Sequence, residues 1–421
     1  MCARRKGRHN AKLAAIARLG GKDMHNKSRI SRRRVLQMAG VGAAAAAFPF
    51  ARPAISQGAP LRVGLLLPYS GTFAALGTAI TNAMDLYVKQ QGGKLAGRTI
   101  EWVKVDDESA PPKATELTSK LVQGEKVDVL IGTVHSGVAM AMAKIAREAG
   151  IPTLIPNAGA NVLTRAQCAK NIFRTSFGNS QPGVATGIAM IKAGIKTAVT
   201  YSWGYAAGEE SVAGFKESFL AGGGKIIKEL TLPFPNVEFQ AGLAEIASLK
   251  PEAVYSFYAG GGALKYMQDY AAAGLKNSVQ LWGPGFLTDG VEKAAGAAGE
   301  GVKTALHYVE SLDNAENKKF RADYNEAFKR FPDVYAVQGW DTTMLLDIGL
   351  KAAGGDVKKQ DVLFKAMREA KFNSPRGPFR LSAAQNPIHN FYLRELKGGE
   401  NVYLGLAAAD VSDPTTGCSL A

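Results

Sequence analysis

From residue 61 onward, short apolar runs alternate with segments in which apolar residues return every third or fourth position. That is the pattern of buried strands interleaved with amphipathic helices. LRVGLLLP reads as a buried strand, residues 76–91 as a helix, TIEWVKVDDE as an alternating strand and residues 112–123 as a second helix. The chain then reaches VLIGTVHSGVAMAMAKIAREAGIPTLIPNAGAN, residues 129–161, around which the rest is organised. Its first strand, 129–132, enters a small-residue turn. A helix follows with Ala139, Ala143 and Ala146 on one face, and a second strand ends at Pro156. Such a βαβ unit opens both parallel strands on one edge. Ser136 stands at the expected N-cap, so its hydroxyl and the first free backbone N–H groups should face that edge, where Asn157, Ala158, Gly159 and Ala160 also arrive. A serine at a helix start is ordinarily only a cap. Two small-residue loops side by side make a place where a small anionic group can touch backbone.

A strand-like piece at 171–176 and a helix at 182–193 follow, and then the pattern starts afresh. Strand TAVTYS, helix 207–220, strand KIIKELTL, helix 239–249, strand AVYSFY, helix 263–273 and strand VQLWGP form a second βα run. Two such runs predict an α/β protein with two doubly wound parallel-sheet lobes. After Gly301 the strand VKTALHYV gives way to three helices, roughly 314–330, 334–353 and 358–370. From Pro378 the text changes to alternating strands joined by turns at Asn386-Pro387 and Gly398-Gly399, which is antiparallel rather than βα. A sheet-forming tail after helices implies that the chain crosses between the lobes more than once.

With 421 residues, core size is no obstacle and more than one domain is expected. The net charge of +15 resembles a nucleic-acid signature until it is mapped. Residues 1–56 hold 13 of the 51 Lys and Arg and only Asp23 of the 36 acids, which leaves the remainder at +3. The basic character belongs to a leader, and nucleic acid is not an expected partner. That leader, with Arg32-Arg33 followed by the weakly apolar run AGVGAAAAAFPFA and then Ala54-Ile55-Ser56, resembles a twin-arginine export signal cleaved near Ser56. Its apolar run is too short and alanine-rich for a transmembrane anchor, and no cysteine follows it to carry a lipid. Met1 and Met24 both stand as starts, because residues 1–23 add nothing to the signal. The mature chain would keep Cys168 and Cys418, a candidate disulfide in an oxidising periplasm or else two unpaired thiols.

The motifs LLLPYSGTFAALG, VDVLIGTVHSGVAMA, GIPTLIPNAGA, NIFRTSF, YAAGEESVAGFKE and YMQDYAAAGLK, with the closing hairpins, resemble the leucine/branched-chain amino-acid class of type I periplasmic solute-binding proteins. The resemblance covers nearly all of residues 61–409. It implies two lobes joined by three crossovers, with ligand enclosed between them by hinge closure, and a monomer that delivers to the membrane permease subunits of an ABC importer. One lobe would combine 61–174 with 307–380 and the other 177–303 with 382–421, with crossovers near Thr175, Thr304 and Leu381. It places the carboxylate-holding serine at Ser136, backbone help at Ala158, and ligand contacts at Tyr205, Tyr335 and Leu76, with Phe73 close by. Gly159 stands where the amino-acid binders carry a threonine for the ammonium, and Gly285 where they carry an acid after Gly-Pro. Both departures remove groups that an α-amino group needs.

Glycines at those positions should widen the cleft, while Tyr205, Tyr335, Phe73, Trp203 and Phe286 offer flat apolar surface for a planar ring. The expected ligand is therefore a small carboxylate of the benzoate, hydroxybenzoate or hydroxycinnamate kind. The alternatives are a branched-chain amino acid, with Glu209 or Asp289 supplying the ammonium partner, and a ligand-sensing receptor of the same fold. Gly260-Gly261-Gly262 is a further candidate rim of the cleft, without the spacing of a nucleotide-binding loop. His135 beside Ser136, and Asn157 on the neighbouring loop, complete the candidate contacts. The pair is not read as a nucleophile and its base, since no G-x-S-x-G elbow surrounds it and no orienting group is evident. His135, His307 and His389 are too far apart in sequence to suggest a metal site, and no cofactor is expected.

Overall fold

The computed structural model describes residues 59–421, so the expected twin-arginine leader and its expected cleavage near Ser56 lie outside the described residues. Strand β1 (Leu61–Leu67) runs into helix α1 (Ala74–Gln90). The hairpin β2 (Lys94–Leu95) and β3 (Arg98–Asp106), helix α2 (Pro111–Ser119), strand β4 (Val129–Gly132), helix α3 (Ser136–Ala149) and strands β5 (Thr153–Ile155) and β6 (Ile172–Arg174) complete a first sheet of order β2-β3-β1-β4-β5-β6. All its pairings are parallel except β2 with β3.

The chain then passes to a second sheet through helix α4 (Ser180–Lys192), strand β7 (Thr197–Trp203), helix α5 (Ala206–Ala221), strand β8 (Lys225–Leu232), helix α6 (Gln240–Leu249), strand β9 (Ala253–Phe257), helix α7 (Gly260–Ala272), strand β10 (Gln280–Pro284), the short α8 (Glu292–Gly299) and strand β11 (Lys303–Leu306). Helices α9 (Ala315–Phe328), α10 (Val334–Ala352) and α11 (Gln360–Arg368) return to the first lobe. The hairpin β12 (Phe372–Ser374) and β13 (Gly377–Phe379) precedes β14 (His389–Lys397) and β15 (Glu400–Val411), which pair antiparallel beside β11. The second sheet has the order β15-β14-β11-β10-β9-β7-β8. Strand β11 stays in that sheet through Leu306, so the second passage, expected near Thr304, begins after Leu306. Among the described residues, no helix is long and apolar enough to cross a membrane.

The local reasons are legible. β4 and β5 are buried along their whole length because helices cover both faces of a parallel sheet, which is why they read as unbroken apolar runs. On α3 the spacing works as expected: Val138, Ala139, Met142, Ala143 and Ala146 are all buried against the sheet. Helix α10 approaches α1 so closely that a Cβ on Gly339 would stand 2.3 Å from the Ile80 carbonyl oxygen, so glycine sets that interhelical distance. The Tyr87 hydroxyl then donates to Asp347 at 3.0 Å across the same contact.

The passages between lobes are held by buried arginines. Arg376 pairs with Asp341 at 2.7 Å, both fully buried, and also donates to the carbonyls of Thr175 and Ser176. Ser374 donates to the same Asp341 at 3.0 Å. Arg174 has no carboxylate; it donates to Asn386 Oδ1 at 2.7 Å, to the Ala160 carbonyl at 2.8 Å and to Thr164. Burial lowers its pKa to about 10, still far above neutrality. One side chain thus ties the end of β6 to the loop before β14.

Cys168 and Cys418 are joined, with Cα atoms 5.5 Å apart across 250 residues of sequence. Beside them Arg165 pairs with the buried Asp413 at 2.8 Å and donates to Ser180 at 3.0 Å. The tail is therefore fastened to the loop between β5 and β6. Chain entropy for so long a loop gives an upper figure of about 5 kcal/mol for the cross-link. Reduction should lower the unfolding free energy by up to that amount in denaturant titration, and two alkylatable thiols in the denatured, unreduced protein would show the bond to be absent.

Candidate functional site

In a parallel sheet every helix that follows a strand begins at the same edge, and here those edges of the two lobes face one another. Between them lies a narrow cleft, with about 310 Å³ of space outside protein atoms when the open solvent at its mouth is included. Its wall is a ring of helix starts. Phe73 precedes α1, Ser136 opens α3, Asn179 precedes α4, Tyr205 precedes α5, Ala259 precedes α7 and Tyr335 is the second residue of α10. Each start presents the positive end of its helix dipole. Leu76, Val134, Phe177, Ala207, Phe257 and Phe286 fill the gaps with apolar surface, and Asn157 and Gly159 complete the lining. No charged side chain is among the lining residues.

Ser136 is not the N-cap. That position belongs to His135, whose backbone is extended and whose Nδ1 accepts from the Gly137 N–H at 3.0 Å. Ser136 is the first helical residue, buried, with its Oγ accepting from Asn179 Nδ2 at 3.1 Å. The same Asn179 nitrogen donates to Glu210 Oε2 at 2.7 Å, and that oxygen also accepts the Asn161 N–H at 2.9 Å. Burial raises the Glu210 pKa, while these N–H donors and the nearby Arg174 and Arg165 oppose the shift.

The other expected contacts divide. Phe73, Leu76, Ser136, Asn157, Gly159, Tyr205, Phe286 and Tyr335 converge on the cavity. Ala158 does not line it, and its N–H is committed to the Thr133 carbonyl at 2.9 Å, so it offers no backbone donor to a ligand. Trp203 lies behind the lining: its ring packs edge-on to Phe73 and Tyr258 and its Nε1 donates to the Asn236 carbonyl at 2.8 Å. Gly260 is a contact between lobes, where an added Cβ would stand 2.7 Å from the Thr72 carbonyl oxygen.

The expectation that Gly159 and Gly285 widen the cleft is wrong. A Cβ on Gly159 would meet Asn179 Oδ1 at 2.2 Å and Phe177 at 2.7 Å, so those side chains occupy the vacated space. At Gly285 the space is filled by Arg394 and Leu306, 2.3 and 2.5 Å from such a Cβ, and the residue lies outside the lining. Neither acid offered for an ammonium reaches the cavity. Glu209 is exposed on α5. Asp289 is fully buried, 2.6 Å from Arg394, and accepts the Val334 N–H at 3.2 Å.

Asn179, Phe177, Val134, Ala207, Phe257 and Ala259 went unnoticed in the sequence. Asn179 was findable, since an asparagine three residues before Pro182, the third residue of α4, is a cap signal. Phe177 follows the end of β6 and Phe257 is the last residue of β9, and neither carries a motif of its own. Two hydroxyls complete the site's chemistry. The Tyr335 hydroxyl is buried without a hydrogen-bond partner. Tyr205 stacks on His135 with centroids 4.6 Å apart, and burial drives its pKa up, so it stays neutral.

His135 itself lies outside the lining and is 4% exposed. Burial lowers its pKa from 6.5 to about 4. The unfolded chain therefore takes up the proton first as pH falls through 6.5, and the contribution of the neutral ring to stability declines down to about pH 4. In His135→Asn, which keeps a good N-cap, that decline should vanish. Relative to wild type, the variant's unfolding free energy should improve by about 2 kcal/mol between pH 7.5 and pH 5 in urea titrations; an unchanged difference would contradict a neutral buried imidazole.

Comparison with known proteins agrees with this geometry. The sequence profile described as periplasmic binding protein matches residues 60–401. A Leu/Ile/Val-binding protein homolog 6 of Brucella melitensis is 30% identical over 357 residues, 82% of this chain and 89% of that one. A solute-binding protein of an ABC transporter from R. palustris, solved in complex with benzoate, is 68% identical with a TM-score of 0.84, covering 86% of this chain and all of that one. Another from Rhodopseudomonas palustris BisB5, in complex with 3,4-dihydroxybenzoic acid, is 34% identical with a TM-score of 0.80, covering 84% and 99%. With its two α/β lobes, the ring of helix starts between them and these matches along most of its length, the chain belongs to the periplasmic binding protein family.

Proposed function

We propose that this protein is the substrate-binding component of an ABC importer, and that it captures an aromatic carboxylate of the benzoate or hydroxybenzoate class between its lobes. The observation that carries the ligand class is the lining: aromatic rings and neutral polar groups, ringed by helix starts, with no acid among them. A carboxylate there meets the positive ends of several helix dipoles and the Ser136 hydroxyl. An α-amino group would be buried without a partner, at a cost of several kcal/mol. Flat rings such as Phe177 and Phe286, with centroids 4.6 Å apart, suit a planar ligand, and the unpaired Tyr335 hydroxyl is a natural partner for a polar substituent. The benzoate and dihydroxybenzoate complexes of the two similar proteins support the same reading.

In this reading the bodies that move are 61–174 with 307–380 and 177–306 with 382–421, hinged at the arginine-bound passages. The protein works as a monomer in the periplasm and presents its closed form to permease subunits. A thermal-shift panel tests the ligand class, since a ligand at a hundred times its Kd adds about 2.7 kcal/mol of stability. Benzoate and hydroxybenzoates should stabilise the protein; stabilisation by leucine or valine with none by benzoates would sink the reading. Export through the twin-arginine route is part of the same proposal, carried by Arg32-Arg33 and the weakly apolar run after them. Replacing both arginines by lysine should strand precursor in the cytoplasm, whereas normal yields of mature periplasmic protein would exclude that route.

A further inference from the structure

Asn179 cannot be turned freely. Its Nδ2 lies 2.7 Å from a carboxylate oxygen of Glu210, and an ionised carboxylate only accepts, so the atom there must be the amide NH₂. The second hydrogen of that NH₂ goes to Ser136 Oγ at 3.1 Å. Ser136 thereby has its oxygen engaged as an acceptor. Its own hydroxyl hydrogen finds no acceptor among the described residues, although the side chain is 1% exposed and lines the cavity.

We infer that Glu210 and Asn179 are positioning residues that fix Ser136 as a hydrogen-bond donor toward the cavity, and so select an anionic over a neutral hydrogen-bonding ligand. Neither Asn179 nor Glu210 need touch the ligand's charge for this. Glu210 orders the amide, the amide occupies one of the two lone pairs of the serine oxygen and so fixes the hydroxyl's orientation, and the serine's hydrogen is left without a protein acceptor. The arrangement also spans the lobes. Ser136 and Asn161 come from the first lobe, Glu210 from α5 of the second, and a single Glu210 oxygen accepts both Asn161 N–H and Asn179 Nδ2. Closing the lobes completes the network, so the polarity that a carboxylate needs is set in the closed form.

The inference rests on the aromatic-carboxylate reading, and titration calorimetry with benzoate and benzamide separates the two. Wild type should bind benzoate and prefer it to benzamide. In Asn179→Asp the Ser136 hydroxyl gains an acceptor within the protein and turns to it, so benzoate affinity should fall about a hundredfold and the preference invert toward the amide. In Glu210→Ala the Asn179 amide is released, and benzoate affinity should fall about tenfold while that for benzamide changes less than about threefold. Glu210→Gln can place its Oε1 where the shared carboxylate oxygen stood, and should keep the wild-type preference. Wild type that ignores benzoate would overturn the ligand reading and this inference with it. Wild type that binds benzoate while a folded Asn179→Asp binds it equally well would overturn only the inference. Should Asn179→Asp fail to fold, the Glu210 pair decides: equal affinities in the alanine and glutamine variants would overturn it.

Discussion

The polarity of the parallel strand is the constraint from which the site follows. A chain that climbs one strand and returns by a helix must start each helix at the same edge. Two such sheets set edge to edge therefore bring the starts of α1, α3, α5 and α7 to one cavity, where α4, which leaves the first sheet, and α10, which follows α9, also begin. The cavity can be free of formal charge and still favour an anion, because backbone dipoles supply the positive potential and need no counter-ion of their own. A lysine or arginine in the same place would require a partner whenever the ligand left.

Formal charge is kept one layer back. Glu210 stands behind Asn179, and Asp289 stands behind Phe286 with Arg394. Arg394 also donates to the Gly285 carbonyl at 3.0 Å, the Tyr308 carbonyl at 3.1 Å and the Thr304 hydroxyl at 3.1 Å, and so braces the turn that carries Phe286. Near it Glu292 and Glu310 bond to Asn401, and burial beside Asp289 raises both, Glu310 to about 7. These groups order the wall without entering the cavity. Asp289 additionally accepts the first N–H of α10, so one carboxylate of the second lobe holds the helix on which Tyr335 is placed.

The passages between lobes solve a different problem. A hinge must permit rotation yet keep its buried backbone satisfied. Arg376 does this by donating to the carbonyls of Thr175 and Ser176 in the first passage, and Arg174 by donating to the Asn386 side chain of the last passage and to the Ala160 carbonyl of the loop after β5. Asp341 balances the charge of Arg376, and removing either alone would leave the other buried and unpaired, a loss of about 3–5 kcal/mol.

The amino-acid sequence by itself determined the alternation of strands and helices, the two βα runs, the antiparallel tail and the loops that reach the cavity. Each of these rests on periodicity and turn chemistry within a few residues. It was also enough to mark Ser136, Tyr205, Phe73 and Phe286, which follow strand ends, and Tyr335, which opens a late helix, because all lie in recognisable motifs. The tertiary structure alone decided what each position faces. Gly159 and Gly285 looked like open space, yet Asn179, Phe177 and Arg394, distant in sequence, fill it. Ala158 looked like a backbone donor until the Thr133 carbonyl was found to take its N–H. Trp203 and Tyr205 are two residues apart, on a strand end and the helix start after it, and only packing between lobes puts one behind the wall and the other in it. A side chain's partner across a cleft depends on contacts that lie from tens to more than a hundred residues apart, and no local pattern encodes it.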